Sequence, residues 1–150
     1  MEIERKFLVN TLPGDLSSFH KRIIEQGYLC RIPAIRVRND NGRFFFTLKS
    51  GGLGMSHEEL ESEIPEEAFK HLLKKTDGIV IKKDRYEIPY ERYIIELDIF
   101  KDELDGLIIA EVEFPSEEEA LDFTPPDWLG KDVTGDPKYT NSNLSMKGPI

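Results

Sequence analysis

On one stretch after another of this sequence, charges of a single sign recur two residues apart, with apolar residues between them. Glu2 and Glu4 open the chain in step with Lys6, with Ile3, Arg5 and Phe7 interleaved. Arg36 and Arg38 alternate with Ile35 and Val37. Arg43, Phe45, Thr47 and Lys49 share a phase opposite Phe44, Phe46 and Leu48. Glu59, Glu61 and Glu63 fall in step, as do Lys83 and Arg85. Glu96 and Asp98 lie among Ile95, Leu97 and Ile99, and Glu111 and Glu113 among Ala110, Val112 and Phe114. Side chains alternate sides along a strand, so each run puts its charges on one face and its apolar residues on the other.

The ordinary meaning of such alternation is an antiparallel sheet with helices on its apolar face and water on its charged face. Three features weigh against that meaning for the set. The charges are segregated by strand, where a solvated face mixes both signs with neutral polar residues. Like charges at i and i+2 sit about 7 Å apart, and at an effective dielectric of ~20 each such pair costs roughly 2 kcal/mol. And about eight strands suffice to close a barrel. With the charged face turned inward, the bases form a funnel for a polyanion. The carboxylates become hard oxygen ligands for Mg²⁺ or Mn²⁺. An enclosed lumen of charge costs folding stability, so the outer apolar face packed under helices must supply the compensation.

The totals agree with a compact enzyme-sized unit. The 150 residues are expected to form a single domain, 1–150, with enough chain for a real core. A net charge of −9 disfavours nucleic acid and anionic membranes as partners, but leaves room for a small anionic ligand in a locally basic pocket. Cys30 is the only cysteine, which excludes an internal disulfide and a thiolate metal site. There is no apolar run near 18 residues and no leader-like start, so a soluble, cytoplasmic protein is expected.

Local signals place the remaining elements. The first strand runs to about Val9. After Gly14, a helix is expected through Gly27, capped by Asp15, with Leu16, Phe19, Ile23 and Ile24 on one face. A short strand at Tyr28–Cys30 follows. Then comes a hairpin whose Asn-Asp-Asn-Gly turn (39–42) suits positive φ. Gly51–Met55 reads as a flexible loop. A strand through Glu63 precedes an amphipathic helix after Pro65, built on Phe69, Leu72 and Leu73. Three further strands turn at Glu91 and at 101–106. A short helix lies at 116–123, and the Pro/Gly-rich tail carries one more from Lys138. The expected fold is therefore α+β: an eight-stranded antiparallel closed β-barrel with a charged interior and helices packed outside.

The succession of motifs resembles the CYTH family, the triphosphate tunnel metalloenzymes. The opening Glu-x-Glu-x-Lys is followed in order by IRVR, TLK, ELESEI, KKDRYEI, IELDIF, AEVEF and GDPKYTNSNLS across essentially the whole chain. The resemblance implies an eight-stranded tunnel that hydrolyses, or cyclises, a triphosphate with Mg²⁺ or Mn²⁺. It implies that Lys6, Arg36, Arg38, Lys49, Lys83 and Arg85 grip phosphates. It assigns Glu2, Glu4, Glu61, Glu63, Asp98, Glu111 and Glu113 to metal, directly or through water, and Glu96 to either shell. Glu4, Lys83, Arg38 and Glu113 are the residues expected to carry turnover. Glu59 and Arg43 are expected near a tunnel mouth, and Lys138 in a tail that caps or props the barrel. Tyr28 resembles a tyrosine near a catalytic lysine in some members, although a tyrosine at a strand start is more often packing.

Other features carry less. His20, His57 and His71 share no metal-ligand spacing, and Gly51–Gly54 lacks the Lys-Ser/Thr of a P-loop. The phase of Arg85 selects Lys83, not Lys82, as inward-facing. Within the family, an inorganic tripolyphosphatase that also accepts nucleoside triphosphates is favoured, because inward positions offer few aromatics to stack a base. A class IV-type adenylate cyclase, a thiamine triphosphatase and a non-catalytic polyphosphate-binding module are the alternatives. Monomer and homodimer are both compatible with the pattern.

Overall fold

The computed structural model describes residues 2–50 and 56–147. The loop expected at Gly51–Met55 lies outside them. The strands are β1 (Glu2–Val9), β2 (His20–Arg31), β3 (Ala34–Asp40), β4 (Arg43–Ser50), β5 (Ser56–Glu63), β6 (Asp77–Tyr90), β7 (Tyr93–Phe100), β8 (Ile108–Glu113) and β9 (Leu129–Asp132). Helix α1 spans Glu66–Leu73, α2 spans Glu117–Asp122 and α3 spans Asn141–Lys147. All strand pairs are antiparallel, in the order β5-β4-β3-β2-β6-β7-β8-β1-β9. A further pairing of Glu2 with His57 and Ile3 with Ser56 joins β1 to β5, so the first and last of eight strands meet. The rest of that edge of β1 is covered by β9, which pairs at Phe7 and Val9. The ring is thus the expected eight strands, with a ninth, β9, added along β1.

The helix expected over 15–27 is absent, and strand β2 takes its place from His20 on. It pairs with β3 on one side and β6 on the other, from Ile24↔Asp40 and His20↔Glu87 onward. Between Ile24 and Tyr28 the strand has partners on both edges, and the backbone bonds so gained outweigh the weak local helix preference. Asp15 accepts a bond from the Ser17 amide in a turn and caps no helix. Gly27 is not a helix stop. A Cβ there would lie 2.9 Å from the Thr76 side chain, so the glycine admits the segment that follows α1.

The turns match their chemistry. Asn41 (φ 56°) and Gly42 (φ 91°) close the β3–β4 hairpin, and Glu91 (φ 55°) the β6–β7 hairpin. Helix α1 buries Phe69 against Phe44, ring centres 5.0 Å apart, on the outside of β4. In α2, Ser116 Oγ accepts from the Glu119 amide. The expected tail helix begins at Asn141, after a 3-10 turn that holds Lys138.

The outer core joins Phe7, Ile95, Leu97, Val112, Phe114 and Phe123 under α2 and β9. A second cluster joins Tyr28, Ile81, Phe100, Ile109 and Leu144. Tyr28, Ile81, Phe100 and Ile109 are in phase with Gln26, Lys83, Asp98 and Glu111, so the inward rows turn apolar at one end of the barrel. There α3 packs Leu144 against them. Arg31 ties α3 in place, donating to Ser145 Oγ (2.9 Å), the Asp77 carbonyl (2.9 Å) and the Ser142 carbonyl (3.4 Å).

The backbone of α3 comes so close to Gly78 (φ 75°) that a Cβ there would stand 2.1 Å from the Ser145 carbonyl oxygen. Gly78→Ala should therefore lower stability by ~2 kcal/mol or more. Urea denaturation checks this, and a midpoint equal to that of the unsubstituted protein would refute the packing.

Candidate functional site

The inward rows surround one cavity of about 950 Å³. From β1 it is lined by Glu2, Glu4 and Lys6, and from β3 by Arg36 and Arg38. Lys49 of β4 and Glu59 and Glu61 of β5 continue the wall. Lys83 and Arg85 of β6, Glu96 of β7, and Glu111 and Glu113 of β8 complete it. Tyr28 lines the end nearest α3. Alternation therefore put all these side chains on the correct face. Register makes them neighbours: Glu4 lies opposite Glu113, Lys6 opposite Glu111, and Tyr28 opposite Arg36.

Four expected residues lie elsewhere. Asp98 faces inward but lies beneath Lys83 and Arg85, fully buried and not lining the cavity. Its Oδ2 is 2.8 Å from Lys83 Nζ, and Arg85 donates to both of its oxygens at 2.7 and 2.8 Å. Burial alone would raise its pKa, but Arg85 and then Lys83 hold it below the usual carboxylate range. Its charge is committed to two cations and serves to aim them. Glu63 and Arg43 pair with each other at 2.8 Å on the exposed end of the β4–β5 hairpin. Lys138 is exposed on the tail and does not reach the cavity.

Two cavity-lining residues lay outside the sequence reading. Arg22 and Gln26 were hidden by the mistaken helix. Arg22 is gripped by Asp40 at 3.0 Å and approaches Glu87 (3.6 Å) and Glu96 (3.8 Å). The tail contributes Val133–Pro137 and Thr140–Asn143 to the wall. It is laced to β1: Thr134 Oγ1 accepts from the Lys6 amide (2.9 Å), and Lys6 Nζ donates to the Tyr139 carbonyl (3.0 Å).

The cavity is electrostatically divided. On one side, carboxylate oxygens of Glu2, Glu4 and Glu113 lie within 4.8 Å of one another. Burial, and then the charge of Glu111, push Glu4 up to about 9. Burial, and then the charge of Glu2, push Glu113 up to about 7. Glu2 escapes this because Lys49 Nζ stands 2.7 Å away and outweighs its burial, holding it below its ordinary value. Carboxylates packed this closely ionise together only when a cation joins them. Glu2, Glu4 and Glu113 offer the hard oxygen set that suits a divalent ion such as Mg²⁺ or Mn²⁺. Glu61 is held across the cavity by Thr47 Oγ1 (3.0 Å) and Arg38 (3.6 Å), apart from this trio.

The other side is cationic. Burial, and then repulsion from Arg36 and Arg85, lower Arg38 to about 10. Burial lowers Lys83 to about 8 despite Asp98. The Arg38 shift marks a cation short of counter-charge, and the Lys83 shift marks a burial that its bond to Asp98 only partly offsets. The Nε atoms of Arg36 and Arg38 are buried and find no hydrogen-bond partner among the described residues.

These facts set two expectations. Glu4 and Glu113 titrate higher folded than the ordinary value of 4.5. Their contribution to stability is thus complete below that value and is lost as pH rises toward about 9. Melting temperature in a chelator should fall between pH 5 and 9, and added divalent cation should restore it most at the alkaline end. A cation effect that is equal at both pH values would exclude proton–metal competition. Asp98→Asn should cost about 3 kcal/mol in chemical denaturation, because it leaves two buried cations under-compensated.

The comparisons with known proteins agree with this geometry. A family model described as the CYTH domain matches residues 1–135. An inorganic triphosphatase from Nitrosomonas europaea is 41% identical over 154 residues, spanning 99% of each chain. One from Acetivibrio thermocellus is 41% identical over 156 residues, covering 99% of this chain and 94% of the relative. A crystal structure of an inorganic triphosphatase superposes with a TM-score of 0.74 at 37% identity, covering 100% of this chain and 97% of the other.

Proposed function

The chain belongs to the CYTH family, and we propose that it is a metal-dependent triphosphate hydrolase that cleaves inorganic tripolyphosphate to pyrophosphate and phosphate. One observation carries the reading: a carboxylate trio and a wall of buried cations face each other across a single hollow. Tyr28 is the one aromatic ring among the described lining residues, which leaves little to stack a nucleobase or thiamine. That favours the inorganic substrate over the cyclase and thiamine triphosphatase alternatives.

Arg36, Arg38, Lys49, Lys83 and Arg85 bind the phosphoryl oxygens. Asp98 fixes Lys83 and Arg85, so these two are already aimed before substrate arrives. As the bridging P–O bond loosens, negative charge moves onto the leaving pyrophosphate, where fixed cations stabilise it most. Glu2, Glu4 and Glu113 would hold Mg²⁺ or Mn²⁺, which neutralises phosphate oxygens and acidifies water when bound. Glu111, held below its ordinary pKa by Lys6 and Arg85 in spite of burial, keeps a negative charge beside that trio.

The net charge of −9 disfavours nucleic acid as a partner, and the basic wall of the cavity leaves room for a small anionic substrate. No helix among the described residues is long and apolar enough to cross a membrane.

Incubation with tripolyphosphate and Mg²⁺ or Mn²⁺ should yield pyrophosphate and phosphate in equal amounts, and chelator should abolish it. Cyclic AMP from ATP, or metal-dependent binding without turnover, would overturn the reading. Glu4→Gln and Glu113→Gln should each lower turnover on the order of 10²-fold or more. Their melting temperatures should stay within a few degrees. Full activity in either variant would refute the metal-ligand assignment.

A further inference from the structure

Gln26 is 1% exposed and lines the cavity, yet neither Oε1 nor Nε2 has a hydrogen-bond partner among the described residues. Buried amides are almost always paired, because an orphaned one carries its full desolvation penalty. Its surroundings say what it waits for. Gln26 lies opposite Arg38 on β3 and opposite Ile81 on β6, with Lys83 one step along β6 and Arg36 one step along β3. Arg36 and Arg38 also present unpartnered Nε atoms at this wall. Arg36, Arg38 and Lys83 are donors suited to phosphate oxygens. Gln26 adds a neutral acceptor to a wall whose neighbouring acceptors, Tyr28 opposite Arg36 and Glu61 beside Arg38, already have partners, and an ionised phosphate offers an acceptor no proton to share. With the Arg36 and Arg38 guanidiniums and Lys83 turned to phosphate, a water bound beside it is the donor left for Oε1.

We propose that Gln26 positions the attacking water: Nε2 donates to an oxygen of the terminal phosphoryl group, and Oε1 accepts from the water. This rests on the tripolyphosphatase reading above. In the step, the water oxygen bonds to the terminal phosphorus as the bridging P–O bond breaks. That bond's electron pair leaves with pyrophosphate, and the proton lost by water passes to a phosphate oxygen of the products. The amide stays neutral throughout and acts by orientation, as an amide does wherever it holds a hydrolytic water in line.

The test replaces Gln26 with Met and, separately, with Leu. Both remove donor and acceptor at similar volume. With the full chain, tripolyphosphate and Mg²⁺, kcat should fall on the order of 10²-fold. KM, and the affinity for an uncleavable imido analogue of tripolyphosphate, should change less than about threefold, a loss confined to the transition state. The melting temperature should hold or rise, because no internal hydrogen bond is lost.

A melting temperature several degrees lower in both variants would show a private bond, such as one to Arg38, and overturn the proposal. So would kcat within about threefold of the unsubstituted enzyme, or a loss confined to KM. Failure of the unsubstituted enzyme to cleave tripolyphosphate is a separate result. It would remove the reading beneath the proposal, and the proposal with it.

Discussion

Asp98 lies out of reach of solvent between Lys83 and Arg85, and the rest of the cavity is built around that cluster. Two buried cations side by side would repel each other and seek water. One carboxylate shared between them keeps both ionised and holds both in a single geometry. Lys83 is further steadied over the Phe100 ring, 5.2 Å from its centre. The cluster neutralises only part of the wall. Arg36 and Arg38, on the strand across from β2, have no comparable private carboxylate, and Arg38 shows this in its lowered pKa. The protein spends the stability of its apolar shell on cations ready for an anion. On the facing side, close-packed carboxylates are ready for a metal ion.

Much of this was legible in the sequence because period-two alternation fixes the face of each side chain. The phase of Arg85 chose Lys83 correctly over Lys82, and the same rule placed Glu2, Glu4, Arg36, Arg38, Glu111 and Glu113 in the hollow. Phase does not fix depth, however. Asp98 shares a face with Glu96, but only the register of β7 on β6, Asp98 opposite Arg85, shows that the neighbouring cations claim it. Glu63 and Arg43 keep the right alternation and still leave the cavity, because the hairpin runs past its end.

The 15–27 segment was misread for a physical reason. Its apolar residues fit a helical stripe as well as a strand, and Gly27 looked like a terminator. What decides the matter is the pair of unsatisfied edges on β3 and β6 that this segment fills, which no local window contains. Arg22 and Gln26 were hidden by the same error. Strand β9 gave no signal because it is only four residues long, within a Pro/Gly-rich tail, and exists to cover half of one edge.

The seam between β1 and β5 has a consequence of its own. Among the described residues, Glu2 and Ile3 are the pairs that fasten it, and they act as a clasp on the hoop. The clasp residue Glu2 is also one of the three carboxylates gathered inside. Anything that draws Glu2 inward tightens the fastening, and anything that springs the fastening scatters the trio. Filling the lumen and keeping the hoop shut are therefore one equilibrium, and the empty protein is the looser garment.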